Sequence, residues 1–210
     1  MTSIRHKDDL REAAASPDDA YLDAARDAIL AVGWSRTTLT DIARRAGVSR
    51  MTLYRRWPDI STLLADLMTR EWARVVAVAA TDPSADGSKD PLTPLVHTVT
   101  ATVHALRVDP LLRRIAELDP ELLLPYLLDR RGRSQELVVT TLAALLEEGQ
   151  RAGAVRAGDP VGLARTVVLA CHGFVLSAHT MLDDPPASPL ADVTALDREL
   201  AEMVRRYLHP

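Results

Sequence analysis

The stretch from Gly33 to Asp59, GWSRTTLTDIARRAGVSRMTLYRRWPD, constrains the fold of this chain more than any other. Thr38 has the properties of a helix N-cap, with Asp41 three places on as a capping-box partner. Leu39, Ile42, Ala43 and Ala46 follow at helical spacing and give a short helix one apolar face. Gly47 stops that helix where a left-handed residue is wanted, and Val48 plugs the turn. Ser49 caps a second short helix in which Leu53 and Trp57 point inward with Val48. Arg50, Met51, Thr52, Tyr54, Arg55 and Arg56 are left to point elsewhere. Two short helices joined by a tight glycine turn make a helix-turn-helix, a unit whose second helix enters a DNA major groove.

Charge agrees with that expectation. Between Gly33 and Trp57 six arginines (36, 44, 45, 50, 55 and 56) stand against the single Asp41, in a chain whose net charge is -4. A local basic patch on an acidic protein suits phosphate binding. An arginine-rich solvated face on an ordinary helical hairpin would carry the same charge. The turn grammar separates the two readings.

The same residues resemble the DNA-binding signature of TetR-type transcriptional regulators. The match runs through the Gly33 turn, the Thr37-Thr38 pair, Asp41-Ile42-Ala43, Ala46-Gly47-Val48-Ser49, Thr52-Leu53-Tyr54 and the aromatic Trp57. The resemblance implies that Thr40, Arg50, Met51, Thr52 and Arg55 face base edges and that Thr38, Tyr54 and Arg56 lie near phosphates. Arginine pairs bidentately with guanine, threonine and methionine touch a thymine methyl, and hydroxyls bond phosphate oxygens. Two positions depart from the family pattern. Met51 stands where a small residue or proline is usual, and Ile60 where a phosphate-binding lysine is usual.

The 210 residues suffice for one large or two small domains; 47% apolar but only 4% aromatic content, rich in Leu and Ala, favours helices. The single cysteine, Cys171, excludes an internal disulfide framework and suits a reducing cytoplasm. The first residues lack an apolar signal core, and no stretch approaches the roughly 20 apolar residues of a membrane span, so no membrane partner is expected.

In chain order, residues 1–18 read as a mobile arm whose Arg5 and Arg11 would suit a minor groove, although a disordered tail is the plainer reading. Residues 19–58 form the helix-turn-helix domain, opened by a bracing helix with Leu22, Ala25, Ile29 and Leu30. Residues 59–80 form a connecting helix, and 81–91 a loop. The rest, to residue 210, reads as an all-helical ligand-binding and dimerisation domain. Its helices run from Pro91 to Val108, from Asp109-Pro110, from Asp119-Pro120 to about Gly149 with a kink near Pro125, from Asp159-Pro160 to about Leu182, and to Leu208. That makes an all-α chain of about nine helices, in keeping with the two-domain architecture the resemblance implies.

Catalytic and metal signatures are missing from the sequence: HExxH, GxSxG, a Walker loop and GxGxxG are all absent. His97 and His104, like His172 and His179, are seven apart on a helix, a rise of about 10 Å that no single ion bridges. No metal, no cofactor and no enzyme activity are expected. The apolar segment from Pro91 to Leu182 carries polar residues at inward positions: His97, Thr98, His104, Arg113, Tyr126, His172 and His179. An apolar cavity with a few such groups suits a small molecule, and the resemblance implies an inducer in this region. For each residue alone, a satisfied core polar group or an exposed side chain is the plainer reading. The resemblance also implies a four-helix dimer interface, for which Leu163, Val167, Phe174, Val175, Leu196, Leu200, Met203 and Tyr207 are the candidates; packing within one chain is the simpler account of them.

The expectation is therefore a homodimeric repressor that binds a palindromic double-stranded operator. A small apolar or amphipathic effector of unstated identity releases it, through the 59–80 helix. The alternatives are a ligand-independent DNA-binding activator or architectural protein, and a helical enzyme or scaffold whose basic hairpin is incidental.

Overall fold

A computed structural model describes residues 17–80, 90–182 and 192–210. The arm up to Ser16 with Arg5 and Arg11, most of the 81–91 loop, and the DDPPASP loop lie outside the described residues. Among the described residues there are ten α-helices and no strand. They are α1 (Pro17–Val32), α2 (Leu39–Arg45), α3 (Arg50–Arg56), α4 (Ile60–Ala80), α5 (Thr93–Val108), α6 (Pro110–Leu118), α7 (Leu124–Leu128), α8 (Arg133–Arg151), α9 (Pro160–Leu176) and α10 (Val193–Leu208).

The all-helical expectation holds, with one difference in the middle of the chain. The run expected from Pro120 to Gly149 is broken into a 3-10 turn at Pro120–Leu122, the short α7, and α8. Two prolines that cannot donate interrupt the helical ladder. The N–H groups of Asp129 and Arg130 both converge on the Pro125 carbonyl (3.0 and 2.8 Å), which ends α7. Gly132 then starts α8, its N–H donating to Gln135 Oε1 at 2.8 Å. Likewise α9 stops at Leu176, short of Leu182, and the chain continues as a 3-10 turn from Ala178 to Met181. Among the described residues no helix is long and apolar enough to cross a membrane.

The chain divides into two compact units. One comprises residues up to Met68 together with Arg114–Leu123; the other comprises Thr69–Arg113 and Leu124–Pro210. The division falls inside α4 and inside α6. The assignment of 114–123 to the first unit is a feature the hydropathy pattern does not announce.

The core of the first unit joins Ala25 and Ile29 of α1, Ile42 of α2, Leu53 of α3, Trp57, and Leu63, Leu64 and Leu67 of α4, all essentially buried. Each such aliphatic side chain stabilises by about 2 kcal/mol relative to exposure. Trp57 meets the Tyr21 ring edge-on at 6.1 Å and donates from Nε1 to Asp66 at 2.9 Å, so its one polar atom is satisfied. In the second unit a single apolar cluster joins α5, α8, α9 and α10 through Val96, Val103, Val139, Leu146, Val167 and Leu200 among others. Arg107 of α5 clamps Asp197 of α10 with two bonds of 2.8 and 2.6 Å and also donates to the Phe174 carbonyl.

Candidate nucleic-acid interface

The turn between α2 and α3 is set by side-chain caps and a glycine closure. Thr38 caps α2, its hydroxyl accepting the Asp41 N–H at 3.2 Å and donating to the Asp41 carboxylate at 2.6 Å. At the other end Gly47 adopts φ +67°, the Val48 N–H reaches the Ala43 carbonyl, and the Gly47 N–H reaches that of Arg44. These two bonds form a Schellman closure, which needs the left-handed residue that glycine supplies without strain. Ser49 caps α3 by accepting the Thr52 N–H at 3.1 Å. Leu53 and Trp57 are buried and anchor α3 from beneath. The remaining residues of the helix face out.

On that outward side Arg50, Met51, Arg55 and Arg56 are exposed, Met51 to 68%, while Thr52 and Tyr54 are half-buried. Thr40 is exposed on α2. An exposed methionine has no packing reason to be there, and it suits contact with a thymine methyl. Arg55 has no ion pair among the described residues. Arg50 is engaged within its helix: Nη2 donates to the Tyr54 hydroxyl at 2.7 Å, and the guanidinium lies 4.9 Å from the ring centroid. The Thr52 hydroxyl is 2.9 Å from that of Ser49.

Arg56 is drawn another way. Its Nε donates to Asp18 at 2.7 Å and its guanidinium lies over the Trp57 ring. The hydrogen bond and charge of Asp18 raise the Arg56 pKa above its ordinary value. A phosphate at this place must compete with a carboxylate for the same guanidinium. Thr38 has its hydroxyl proton on Asp41 in the same way. The start of α4 carries Asp59, which accepts the Thr62 N–H at 2.7 Å, and Ile60, so it offers no cation in place of the family's lysine.

A contact from distant sequence stiffens the turn that precedes α2. Asp119, buried, accepts the N–H groups of Trp34 at 2.8 Å and Ser35 at 3.3 Å. Gly33, at φ +90°, has Asp119 Oδ2 and Leu118 Cδ1 3.1 Å from where a Cβ would stand. Thr37 closes the loop by donating to the Gly33 carbonyl at 2.7 Å.

The second unit disperses the residues expected to line a ligand pocket. His172 is half-buried, with Nε2 3.3 Å from Gln135 Nε2, and Gln135 also donates to the Tyr126 carbonyl. The imidazole nitrogen must accept here, and burial lowers the His172 pKa, so both favour the neutral ring. His104 is exposed and approaches Asp197 at 3.5 Å. The Thr98 hydroxyl closes on its own helix at the Pro94 carbonyl, and His97 is half-buried. Arg113, Tyr126 and His179 are exposed, with Arg130 over the Tyr126 ring. Burial pushes the Cys171 thiol up to about 12. An open groove of about 460 Å³ lies elsewhere, between α8 and α9, lined by Glu136, Val139, Thr140, Ala143, Glu147 and Val161. None of the seven expected residues lines that groove. Sequence reasoning passed over Gln135, which its place three residues after a helix-starting glycine marks as a capping partner. Arg107 and Asp197 meet across 90 residues and leave no local signal.

Several of the interface candidates turn inward. Leu163, Val167 and Leu200 are buried in the chain's own core, and Phe174, Val175 and Tyr207 pack against it. Leu196 is half-buried and Met203 is 42% exposed. The first three are therefore committed to packing within one chain and offer no surface to a second copy. What α9 does expose is Val161, Arg165, Thr166, Leu169 and Gly173, with Leu169 at 72%.

An outward, arginine-bearing helix seated on a capped, glycine-closed turn defines a helix-turn-helix DNA-binding protein. Residues 22–67 match the bacterial regulatory proteins of the tetR family. Over 187 residues the chain is 36% identical to the HTH-type transcriptional regulator Rv2250c of Mycobacterium tuberculosis, an alignment spanning 89% of this chain and 92% of the relative. Its fold is similar to that of the fatty acid degradation regulator FadR from Bacillus halodurans (TM-score 0.63, 20% identity, 91% of this chain and 95% of that one). It is also similar to the TetR family repressor AlkX from Dietzia sp. strain DQ12-45-1b, implicated in biodegradation of n-alkanes (TM-score 0.59, 20% identity, 91% and 97%). The chain belongs to the TetR family of bacterial transcriptional regulators.

Proposed function

We propose that this regulator is a cytoplasmic homodimeric repressor that holds a palindromic operator through α3 and leaves it when an apolar or amphipathic small molecule binds the second unit. The observation that carries the DNA part is the exposed row of Arg50, Met51 and Arg55 on a helix whose opposite side is fully buried. Two copies of α3 reach successive major grooves only if a twofold axis sets them about 34 Å apart. The exposed apolar Leu169, with Gly173 one turn on, suits such an axis better than the buried Leu163, Val167 and Leu200. For the effector, support comes from FadR and AlkX, whose names tie them to fatty acids and n-alkanes. The neutral Gln135–His172 pair would suit a polar headgroup. Because α4 and α6 each belong partly to both units, a ligand that favours one arrangement of them shifts DNA affinity by its differential affinity for the two states.

The test is selection of bound sites from random duplexes, followed by challenge of the selected complex with fatty acids and alkanes of increasing chain length. A palindromic consensus and saturable release are expected. Equal affinity of the effector for free and DNA-bound protein would overturn the coupling. In the same assay Arg55→Ala is expected to cost about 1–3 kcal/mol and to relax preference at one base pair of each half-site. A uniform loss across all operator variants would count against base reading by this residue.

A further inference from the structure

We infer that Tyr54 is a specificity-determining positioning residue, which holds Arg50 for base reading and ties that reading to the phosphate contact it makes itself. The inference rests on the operator reading above. A family-type assignment treats the two residues separately, arginine on a base and tyrosine on the backbone. The geometry joins them. Arg50 Nη2 donates to the Tyr54 oxygen at 2.7 Å while the guanidinium lies 4.9 Å from the ring centroid. A phenolic oxygen accepts and donates at once. With its lone pair taken by Arg50, its proton remains for a phosphate oxygen. A guanidinium bonded at one nitrogen and resting on a ring keeps its other N–H groups free for the O6/N7 edge of guanine.

Among the described residues Arg50 has no competing acidic partner. Arg56 is held by Asp18, Arg44 is 3.7 Å from Asp41, and among the described residues no carboxylate pairs with Arg50. The i,i+4 spacing on α3 places tyrosine one turn below the arginine, and Ser49 fixes the start of that turn. Tyr54 therefore limits the orientations open to a long, flexible side chain, which would otherwise have to be ordered by DNA alone.

The experiment uses the full chain and its selected operator, with Tyr54→Phe, Tyr54→Leu, Arg50→Ala and Arg50→Ala/Tyr54→Phe. Affinity is measured for the operator and for variants at the base pair that Arg50→Ala relaxes; thermal melts show that the variants are folded. Expected is that Tyr54→Phe lowers discrimination at that base pair at least about threefold, that Tyr54→Leu lowers it further, and that the double variant discriminates no worse than Arg50→Ala. Tyr54 variants that lose affinity equally for every duplex, with discrimination unchanged, would overturn the inference and leave Tyr54 a phosphate contact. A wild-type chain that selects no sequence at all would sink the operator reading, and this inference with it, which is a different result.

Discussion

Replacing Leu169 with glutamate is expected to give a folded monomer that has lost operator binding by at least about a hundredfold. Leu169 is 72% exposed on α9, while Leu163 and Val167 on other sides of the same helix are buried. A charge there disturbs no packing inside the chain, so the substitution separates association from folding. A dimer converts the second half-site contact into an intramolecular event, and loss of that linkage costs about 10²–10⁴ in affinity with every DNA contact intact. Sedimentation at micromolar concentration reads the first effect and operator titration the second. Residual half-site affinity should keep its base preference, because α3 is unchanged. A Leu169→Glu chain that remains dimeric, or a monomer that binds the operator as tightly as wild type, would refute this interface. Leu163→Glu provides the contrast: it puts a charge into the core, and its expected result is unfolding.

What was legible in the sequence is what is encoded within a few residues. The caps at Thr38 and Ser49, the glycine closure at Gly47 and the inward Leu53–Trp57 pair are all local, and all hold. The Arg50–Tyr54 contact was also within reach, because i,i+4 neighbours on a helix meet. Contacts across long separations were not. Nothing in the spacing joins Asp18 to Arg56, 38 residues away, or Asp119 to Trp34, 85 away. The interface candidates illustrate a second limit. Helical periodicity finds an apolar face on α9, but a face that meets the core of one chain and a face that meets another copy have the same period. Burial decides between them, and it places Leu163 and Val167 inside and Leu169 outside. The polar residues of the second unit show a related limit: isolated polar groups in an apolar run carry no directional signal, and the structure places His104 beside Asp197 and His172 beside Gln135.

Asp119→Ala is expected to lower the stability of the first unit by about 2–4 kcal/mol and to weaken operator binding through disorder of the turn before α2. The carboxylate accepts two N–H groups just past the end of α1, from Trp34 and Ser35. Arg114 donates to the Ala31 carbonyl at 3.4 Å at the same helix end. Removing the carboxylate strands two part-buried donors, each costing about 1–3 kcal/mol less whatever water recovers. Asp119→Asn keeps the shape but turns an NH2 group toward one of those donors, so it should recover little. Burial alone would raise the Asp119 pKa; the Ser35 hydroxyl, the Trp34 and Ser35 N–H groups and the charge of Arg36 outweigh it and hold the carboxyl below the usual carboxylate range. A depressed folded pKa means that the contact contributes fully above the unfolded value, near 3.9, and is lost as pH falls through the lower folded one. The stability gap between wild type and Asp119→Ala should therefore stay constant from about pH 8 to 5 and close only below about pH 4. Hydrogen exchange should show the amides of Trp34 and Ser35 losing protection in the variant, while Leu53 at the centre of α3 follows the global unfolding. If those two amides exchange as slowly in Asp119→Ala as in wild type, the carboxylate is not what orders the turn, and α2 takes its position from the apolar core alone.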